Sequence, residues 1–324
     1  MAKISMFGIS GSGKTCYLYA MAQVLQGGAR QDNFRLSMIA NDIQQQTILH
    51  NGYLMMAADG RWPKGSDTTT GFDLRVRVQY DGEFSNIIEN LTLLDYAGGV
   101  WTNNSLDADK DRINLMNEFM DSSAVLFLVD GKTLLQAMDA NDLHPSHRDI
   151  ATIQEIVMAR QQISFVENLF LGYKQHIGSV PPQDGQHLDY RQHIGSVPPV
   201  MVVVTKADVF MYSDELEKGK NLIKEYLPSL FAKGSGIYVG ITAVSLGTNL
   251  SAGEDNRIQG HLSLSTQYNI HLPIIYGLYA YLSEVYDGSP EDEKAEIERV
   301  VVPLRAMMKD KVEMFSNGSP LISL

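Results

Sequence analysis

The sequence predicts an α/β fold in which a mainly parallel sheet is sandwiched by helices. Three observations predict it: a strand, a glycine loop and a helix follow one another at the start, short apolar runs recur along the chain, and helix-compatible stretches separate those runs. With 44% hydrophobic and 20% charged residues, the 324-residue chain has an ordinary globular composition. Collagen-like, disulfide-scaffold and wholly disordered proteins are therefore excluded.

Charge and apolar patterning limit the partners of the chain. It carries 26 Lys and Arg against 38 Asp and Glu, a net charge of −12, and such an excess of carboxylates repels polyanions. We therefore expect no nucleic-acid partner. No apolar stretch is long enough for an integral membrane segment. Cys16 is the single cysteine and the first residues lack a signal-peptide pattern, so we expect a cytoplasmic location.

The first element is a strand, a loop and a helix in direct succession. Residues 4–7 form an apolar strand, and the loop 8–15 has the sequence GISGSGKT. Glycines let backbone N–H groups point at a phosphate, and the following helix start adds partial positive charge. This Walker A pattern predicts a P-loop NTPase, with Lys14 on the β- and γ-phosphates and Thr15 on Mg²⁺. The expected phosphate-side residues are Ser10, Gly11, Ser12, Gly13, Lys14, Thr15 and Cys16.

A second apolar strand, residues 91–94, ends in Asp95-Tyr96-Ala97-Gly98. In such a D-x-x-G element the carboxylate can hold the water shell of Mg²⁺, and the glycine N–H can approach the γ-phosphate. We expect Asp95 at the metal site and Gly98 at the γ-phosphate.

Two later strands end in groups that can read a purine base. Residues 200–204 run into a T-K-x-D element, in which Asp208 could accept hydrogen bonds from guanine, whereas adenine presents the reverse pattern of donors and acceptors. The stem of Lys206 would lie along the base. Residues 236–241 form a strand that runs into Thr242-Ala243-Val244-Ser245, in which the Ala243 N–H could contact the guanine carbonyl oxygen. The expected base-side residues are Thr205, Lys206, Asp208, Thr242, Ala243 and Val244.

These four elements, in this order, resemble the Ras-like, translation-factor-related (TRAFAC) class of P-loop GTPases over roughly residues 1–250. The resemblance implies GTP, GDP and Mg²⁺ as ligands, and a switch threonine before the D-x-x-G element. Residues 67–72 (DTTTGF) are similar to the T-x-G-F of Arf and of the signal-recognition-particle receptor β subunit, which implies Thr69 as a Mg²⁺ ligand. Spacing leaves Thr68 and Thr70 as alternatives. The catalytic residues implied are Lys14, Thr69 and Gly98.

The chain departs from that family at two positions. Ras and Arf carry a glutamine after D-x-x-G that positions the attacking water, but this chain has Gly99 there, and Ser10 replaces the usual glycine. We therefore expect slow GTP hydrolysis and an activating group from a protein partner, a homodimer or this chain itself. The candidates in the same chain are Asn103, Asn104, Arg61 and Arg112. By resemblance, enlarged members without the glutamine are often bacterial.

The chain is expected to form one enlarged domain. It comprises a GTPase domain at residues 1–286, with insertions at about 42–58 and 140–199, and a C-terminal helical extension at 287–324. The first insertion has helical spacing of its apolar residues, and Trp62 beyond it is expected to be a core anchor rather than a ligand platform.

The second insertion contains a repeat. A helix is predicted over about 149–173, and residues 173–182 then recur as 190–199 with one difference. We interpret this as a tandem duplication in a surface loop, with a Pro-Pro arm for a partner as the alternative.

The last part of the chain is predicted to be a loop and two helices. Residues 246–271 are polar and expected to be a flexible loop, and residues 272–286 an apolar helix on the sheet. A final helix is expected from 290 to about 315, interrupted or kinked at Pro303, with its apolar face packed on its own domain.

The function that these elements predict is a guanine-nucleotide switch that hydrolyses GTP slowly. One alternative is a GTP-dependent interaction module without hydrolysis, which the missing glutamine favours. The other is a P-loop ATPase or kinase in which the T-K-x-D element has no role in base recognition.

Overall fold

One mixed sheet forms the centre of the fold. The structure, a computed structural model, describes residues 1–65, 68–85, 87–96, 117–179 and 197–321, and within these ranges eleven strands share this sheet. The strands are β1 (Ala2–Phe7), β2 (Ala29–Gln31), β3 (Phe34–Ala40), β4 (Thr70–Tyr80), β5 (Glu83–Ser85), β6 (Asn90–Asp95), β7 (Ala124–Asp130), β8 (Val200–Thr205), β9 (Tyr238–Ala243), β10 (Gly247–Ala252), β11 (Ile258–Leu262), β12 (Glu313–Ser316) and β13 (Ser319–Pro320). The order in the sheet is β13-β12-β9-β8-β7-β1-β6-β4-β3-β2, with β5 paired to β4, while β10 and β11 form a separate pair.

The five central strands are parallel, and they position the candidate site. β9, β8, β7, β1 and β6 pair in parallel, so their carboxyl ends meet at one edge of the sheet. Every residue of β7 and of β8 is buried, as expected for strands covered on both faces. This confirms the predicted α/β fold with a mainly parallel sheet between helices.

Helices cover both faces of the sheet. The helices are α1 (Lys14–Gly27), α2 (Ile43–Ala57), α3 (Gly131–Asp142), α4 (Ile150–Ser179), α5 (Ser213–Tyr226), α6 (Pro228–Phe231), α7 (Leu272–Gly288) and α8 (Glu291–Met308). The core on one face takes apolar side chains from α1, α2, α7 and α8, and the core on the other face takes them from α3, α4, α5 and α6. The predicted helix at 42–58 is confirmed as α2, and the long helix predicted from about 149 is confirmed as α4.

Antiparallel strands extend the sheet beyond β6. β4 pairs antiparallel with β6, and the β2–β3 hairpin continues the sheet outwards. Phe34, Leu36 and Met38 of β3 alternate inwards and are buried, and Asp32 takes a positive φ of 51° in the turn. Sequence reasoning did not anticipate this hairpin.

The prediction of a helix to about residue 315 was wrong. Helix α8 contains Pro303 and ends at Met308, and Asp310 follows with a φ of 60°, which turns the chain out of helical geometry. β12 then pairs antiparallel with β9, and Glu313 binds Lys220 and Lys224 of α5. The predicted packing of the α8 apolar face on its own domain is confirmed by its buried residues, which are Ile297, Val300, Leu304, Met307 and Met308.

The prediction of a flexible loop at 246–271 was also wrong. This segment contains the antiparallel hairpin β10–β11 and short 3₁₀ turns, and it packs beside residues 60–62. Most of the duplicated segment, residues 180–196, lies outside the described residues. Among the helices that are described, none has the length and apolar character needed to span a membrane.

Candidate functional site

A cavity of about 460 Å³ lies at the carboxyl ends of the parallel strands. Its volume is in the range of small-molecule sites. The phosphate loop and the start of α1 form one side, and the T-K-x-D element with Lys132 forms another. Residues 62–65 supply an outer wall together with Val244 and Leu246 before β10, residues 250–252 and Asn256. The structure thus brings the predicted phosphate-side and base-side elements to one cavity.

The phosphate loop curls as its glycines require. Gly11 and Gly13 have φ of 83° and 86°, values that favour glycine. A Cβ on Gly8 would lie 2.8 Å from the Leu128 carbonyl oxygen, so a side chain there would clash with β7. Lys14 starts α1, and its Nζ donates to the carbonyl oxygens of Gly8 at 2.6 Å and Ile9 at 3.1 Å. Burial lowers the pKa of Lys14, and the nearby Asp95 opposes that shift.

Thr15 and Asp95 meet behind the loop. The Thr15 hydroxyl donates to Asp95 Oδ2 at 3.4 Å. Asp95 is only 2% exposed, and burial raises its pKa to about 6, against the opposing effects of Lys14 and the Thr15 hydrogen bond. Asp95 Oδ1 and Ser12 Oγ are buried and have no hydrogen-bond partner among the described residues. The loop and the end of β6 therefore each carry a buried oxygen atom without a hydrogen-bond partner among the described residues.

The three candidate switch threonines lie together at the start of β4. Thr70 is opposite Asp95 in the β4–β6 register, and Thr68 and Thr69 precede it with exposed side chains. None of the three lines the cavity. The structure places Thr70 beside Asp95 at the end of β6 and does not distinguish among the three threonines.

The T-K-x-D element fastens the phosphate loop to the sheet. Lys206 has a φ of 53°, and its Nζ donates to the Gly11 carbonyl oxygen at 3.0 Å and pairs with Asp130 Oδ2 at 2.5 Å. The Thr205 hydroxyl lies 2.7 Å from the Ser12 carbonyl oxygen. Sequence reasoning missed Asp130, which also caps the start of α3. A signal was present, because Asp130 ends an apolar strand just as Asp95 does.

Asp208 lines the cavity, and its carboxylate lies beside the Leu250 amide and the Ser245 hydroxyl. Its Oδ2 accepts from the Leu250 amide at 2.7 Å, and its Oδ1 lies 3.0 Å from the Ser245 hydroxyl. That hydroxyl has one hydrogen and is closer to the Gly247 carbonyl oxygen, at 2.6 Å. The Leu250 amide is therefore the group that donates a hydrogen bond to the Asp208 carboxylate.

Two of the predicted base-side residues lie in the sheet rather than at the cavity. Thr242 is fully buried in β9, where its hydroxyl donates to the Lys311 carbonyl oxygen at 3.0 Å, and Ala243 is buried beside it. Val244 does line the cavity, together with Leu246. Thr242 and Ala243 do not line the cavity, because β9 continues to Ala243.

Trp62 and the β10–β11 hairpin form the outer wall. The Trp62 indole donates to the Ser251 carbonyl oxygen at 3.2 Å, and its backbone N–H donates to the Asn256 carbonyl oxygen at 3.0 Å. Trp62 also packs partly buried against the core, so it combines the expected anchoring with a place in the cavity wall.

The other predicted residues lie at the cavity, on the surface or outside the described ranges. Cys16 lines the cavity, and burial raises the pKa of its thiol to about 12, so it stays protonated near neutral pH. Arg61 is exposed and does not line the cavity. Its backbone forms an isolated antiparallel β-bridge with Arg257. Among the described residues, no group of three or more His, Cys, Asp and Glu could hold a metal ion by itself. The predicted residues outside the described ranges are Gly98, Gly99, Asn103, Asn104 and Arg112.

Comparisons with known proteins returned a structural match. No family model matches the chain, and no curated protein matches its sequence. Among solved structures, the chain is similar to the signal recognition particle receptor SRb-GTP/SRX complex from Chaetomium thermophilum, with 14% identity and a TM-score of 0.36. That match covers 78% of this chain and 93% of the other.

Proposed function

We propose that this protein is a guanine-nucleotide-binding switch that binds GTP with Mg²⁺ and hydrolyses it slowly. The observation that carries the proposal is that one cavity is lined by both the Walker A loop and Asp208. A phosphate cradle and a carboxylate that can read a base are then available to a single molecule. The cavity volume of about 460 Å³ suits a ligand of nucleotide size.

The phosphates would lie on the loop and on Lys14. The backbone N–H groups of Ser12 and Gly13 belong to a glycine-rich turn at a helix start, which favours anions. Lys14 is bonded to two neutral carbonyl groups, and a phosphate would give this buried cation an anionic partner.

Mg²⁺ fits the oxygen atoms beside the loop. Asp95 Oδ1 is buried without a partner among the described residues, and the Thr15 hydroxyl lies next to the same carboxylate. One or two such ligands with substrate phosphates are typical of Mg²⁺ sites. Thr15, Asp95 and, by the sequence prediction, Thr69 would hold the ion, and the ion would neutralise charge on the β- and γ-phosphates.

Guanine would lie against the T-K-x-D element. Asp208 could accept from the ring N–H and the exocyclic amine of guanine, and the stem of Lys206 would lie along the base. Since Ala243 lies in the sheet, we place the donor to the guanine carbonyl oxygen at the Leu246 amide, on the cavity wall. The ATPase alternative leaves Asp208 without a role in base recognition.

Slow turnover follows from Gly99. In hydrolysis a water oxygen bonds to the γ-phosphorus and the bond to the β-phosphate oxygen breaks, and Gly99 has no side chain to orient that water. The γ-phosphate would be sensed at Gly98. A protein partner or a second copy of the chain would supply the missing group, and release of the γ-phosphate would then change the affinity for an effector.

Single-turnover phosphate release from GTP tests the hydrolytic part of this proposal. We expect a slow rate in the wild-type protein and a rate equal to buffer in Lys14→Ala. A wild-type rate equal to buffer, at both low and high protein concentration, would support the alternative of a GTP-dependent interaction module. The same samples, assayed for bound nucleotide, test whether GTP binds at all.

A further inference from the structure

The β10–β11 hairpin contains a bulge beside the cavity. The paired residues shift between Thr248 and Ser251, so Asn249 and Leu250 lie opposite the single residue Gly260. Asn249 has a φ of 53° and Gly260 a φ of 98°. A Cβ on Gly260 would lie 2.3 Å from the Asn249 carbonyl oxygen. The bulge therefore depends on glycine at position 260.

The Leu250 N–H points out of the hairpin ladder. In a two-stranded antiparallel ladder only alternate residues donate their N–H to the neighbouring strand, and the extra residue of a bulge leaves that ladder. Leu250 uses its N–H to bind Asp208 Oδ2 at 2.7 Å, across 42 positions of sequence. The hairpin thus contacts the carboxylate through its backbone, independently of the Leu250 side chain.

The hairpin is fixed in this position by the segment after α2. The Ile258 N–H donates to the Gly60 carbonyl oxygen at 2.8 Å, and the Asn256 side-chain amide donates to the Trp62 carbonyl oxygen at 2.9 Å. With the Trp62 indole bonded to Ser251 at 3.2 Å, the hairpin is held at several points along its length. The Leu250 amide is therefore presented at a defined place rather than by a free loop.

We propose that Leu250 is a positioning residue for base recognition, acting through its backbone N–H on Asp208. This inference rests on the proposed function. A carboxylate has about four lone-pair positions, two on each oxygen. The Leu250 N–H occupies one of them on Oδ2 and fixes the rotation of the carboxylate, which leaves acceptor positions on both oxygens for the two donors of guanine. Selectivity for guanine then depends on a hairpin that lies outside the four motifs.

The test removes the N–H and keeps the rest of the site. Leu250→Pro lacks the donor, whereas Leu250→Ala keeps it and serves as the matched control. Affinities for GDP, for inosine diphosphate, which lacks the exocyclic amine, and for ADP are measured by displacement of fluorescent GDP. We expect Leu250→Pro to lose about tenfold in GDP affinity and to lose most of the preference for GDP over inosine diphosphate, because a hydrogen bond to a charged group is lost. Leu250→Ala keeps the N–H and should keep the preference for GDP over inosine diphosphate.

A second pair of variants guards against a folding defect. Gly260→Ala disrupts the bulge through the contact with Asn249, and Gly82→Ala is its control, because Gly82 has a φ of 86° but an added Cβ would meet no atom within 4 Å. If Leu250→Pro does not show a wild-type thermal transition, the role of the hairpin is tested with Gly260→Ala, by its preference for GDP over inosine diphosphate. Loss of the preference in Gly260→Ala but not in Gly82→Ala supports the proposal.

Two other outcomes are separable. If the folded Leu250→Pro and Gly260→Ala variants keep the wild-type ratio of GDP to inosine diphosphate affinity, the role of the hairpin is overturned while the nucleotide site stands. If the wild-type protein does not prefer GDP to ADP, the proposed function itself is overturned, and the inference is overturned with it.

Discussion

Lys206 donates a hydrogen bond from its Nζ to the carbonyl oxygen of Gly11, 3.0 Å away. The two residues are 195 positions apart in sequence. This bond joins the element expected to read the base to the loop expected to hold the phosphates. Because Asp130 holds the same ammonium group at 2.5 Å, Lys206 stabilises the geometry of both halves of the cavity.

Replacement of Lys206 should therefore weaken nucleotide binding as a whole. We expect Lys206→Met to speed GDP dissociation by about tenfold, since the phosphate loop loses one of its two hydrogen-bonded links to the end of β8. Lys294→Met is a suitable control, because Lys294 pairs with the exposed Glu291 on α8. Stopped-flow release of fluorescent GDP measures the rate, and equal rates in Lys206→Met and wild type would contradict this role.

The buried Asp95 should make the nucleotide-free protein sensitive to pH. Burial raises its pKa from 3.8 to about 6, so the folded state binds the proton more tightly than the unfolded state does. The stability that this proton provides is present below about pH 4 and is lost as the pH rises through about 6.

Asp95→Asn removes this dependence, because asparagine is neutral at every pH. We expect the nucleotide-free variant to be more stable than wild type by about 2 kcal/mol at pH 7.5, with a smaller difference at pH 4.5. Urea unfolding at the two pH values measures it. If the variant exceeds wild type in unfolding free energy by the same amount at the two pH values, ionisation of Asp95 is not the cause of its greater stability. Mg²⁺-dependent GTP binding should be weaker in the variant.

Asp208→Asn should change which base is preferred. An asparagine amide can donate to the carbonyl group that xanthine carries in place of the guanine amine. We therefore expect GDP affinity to fall and xanthosine diphosphate affinity to rise, so that the order of the two is reversed. Displacement titrations of wild type and variant provide the comparison. Unchanged GDP affinity would remove Asp208 from the base site.

Helix α8 should contribute to the stability of the domain. Leu304 is fully buried in the core, while Val302 on the same helix is 55% exposed. Leu304→Ala should lower the free energy of unfolding by about 2–5 kcal/mol, and Val302→Ala should change it by less than about 1 kcal/mol. Chemical unfolding measures both. Similar small effects would mean that α8 is only loosely attached.

The features that sequence reasoning predicted are those encoded by adjacent residues. The Walker A loop, the strand ending in Asp95 and the strand before Lys206 each combine an apolar run with a short polar motif. Their meeting at one edge of the sheet also followed, because the carboxyl ends of parallel strands share an edge.

The features that were missed depend on contacts between distant segments. The β10–β11 hairpin is polar and has weak alternation, and its position comes from bonds to Gly60 and Trp62, far earlier in the chain. The Leu250 contact with Asp208 uses a backbone N–H, which no residue type reveals. Pairing of β12 with β9 was likewise hidden behind a helical pattern.

Nucleotide competition tests the central claim most directly. Fluorescent GDP is bound to the wild-type protein with Mg²⁺ and then displaced by unlabelled GTP or by ATP. The proposed site predicts that GTP displaces it at concentrations at least about a hundredfold lower than ATP, because a site built to accept guanine donors leaves Asp208 unpaired with adenine. Displacement by ATP as readily as by GTP would contradict the assignment of a guanine-nucleotide switch.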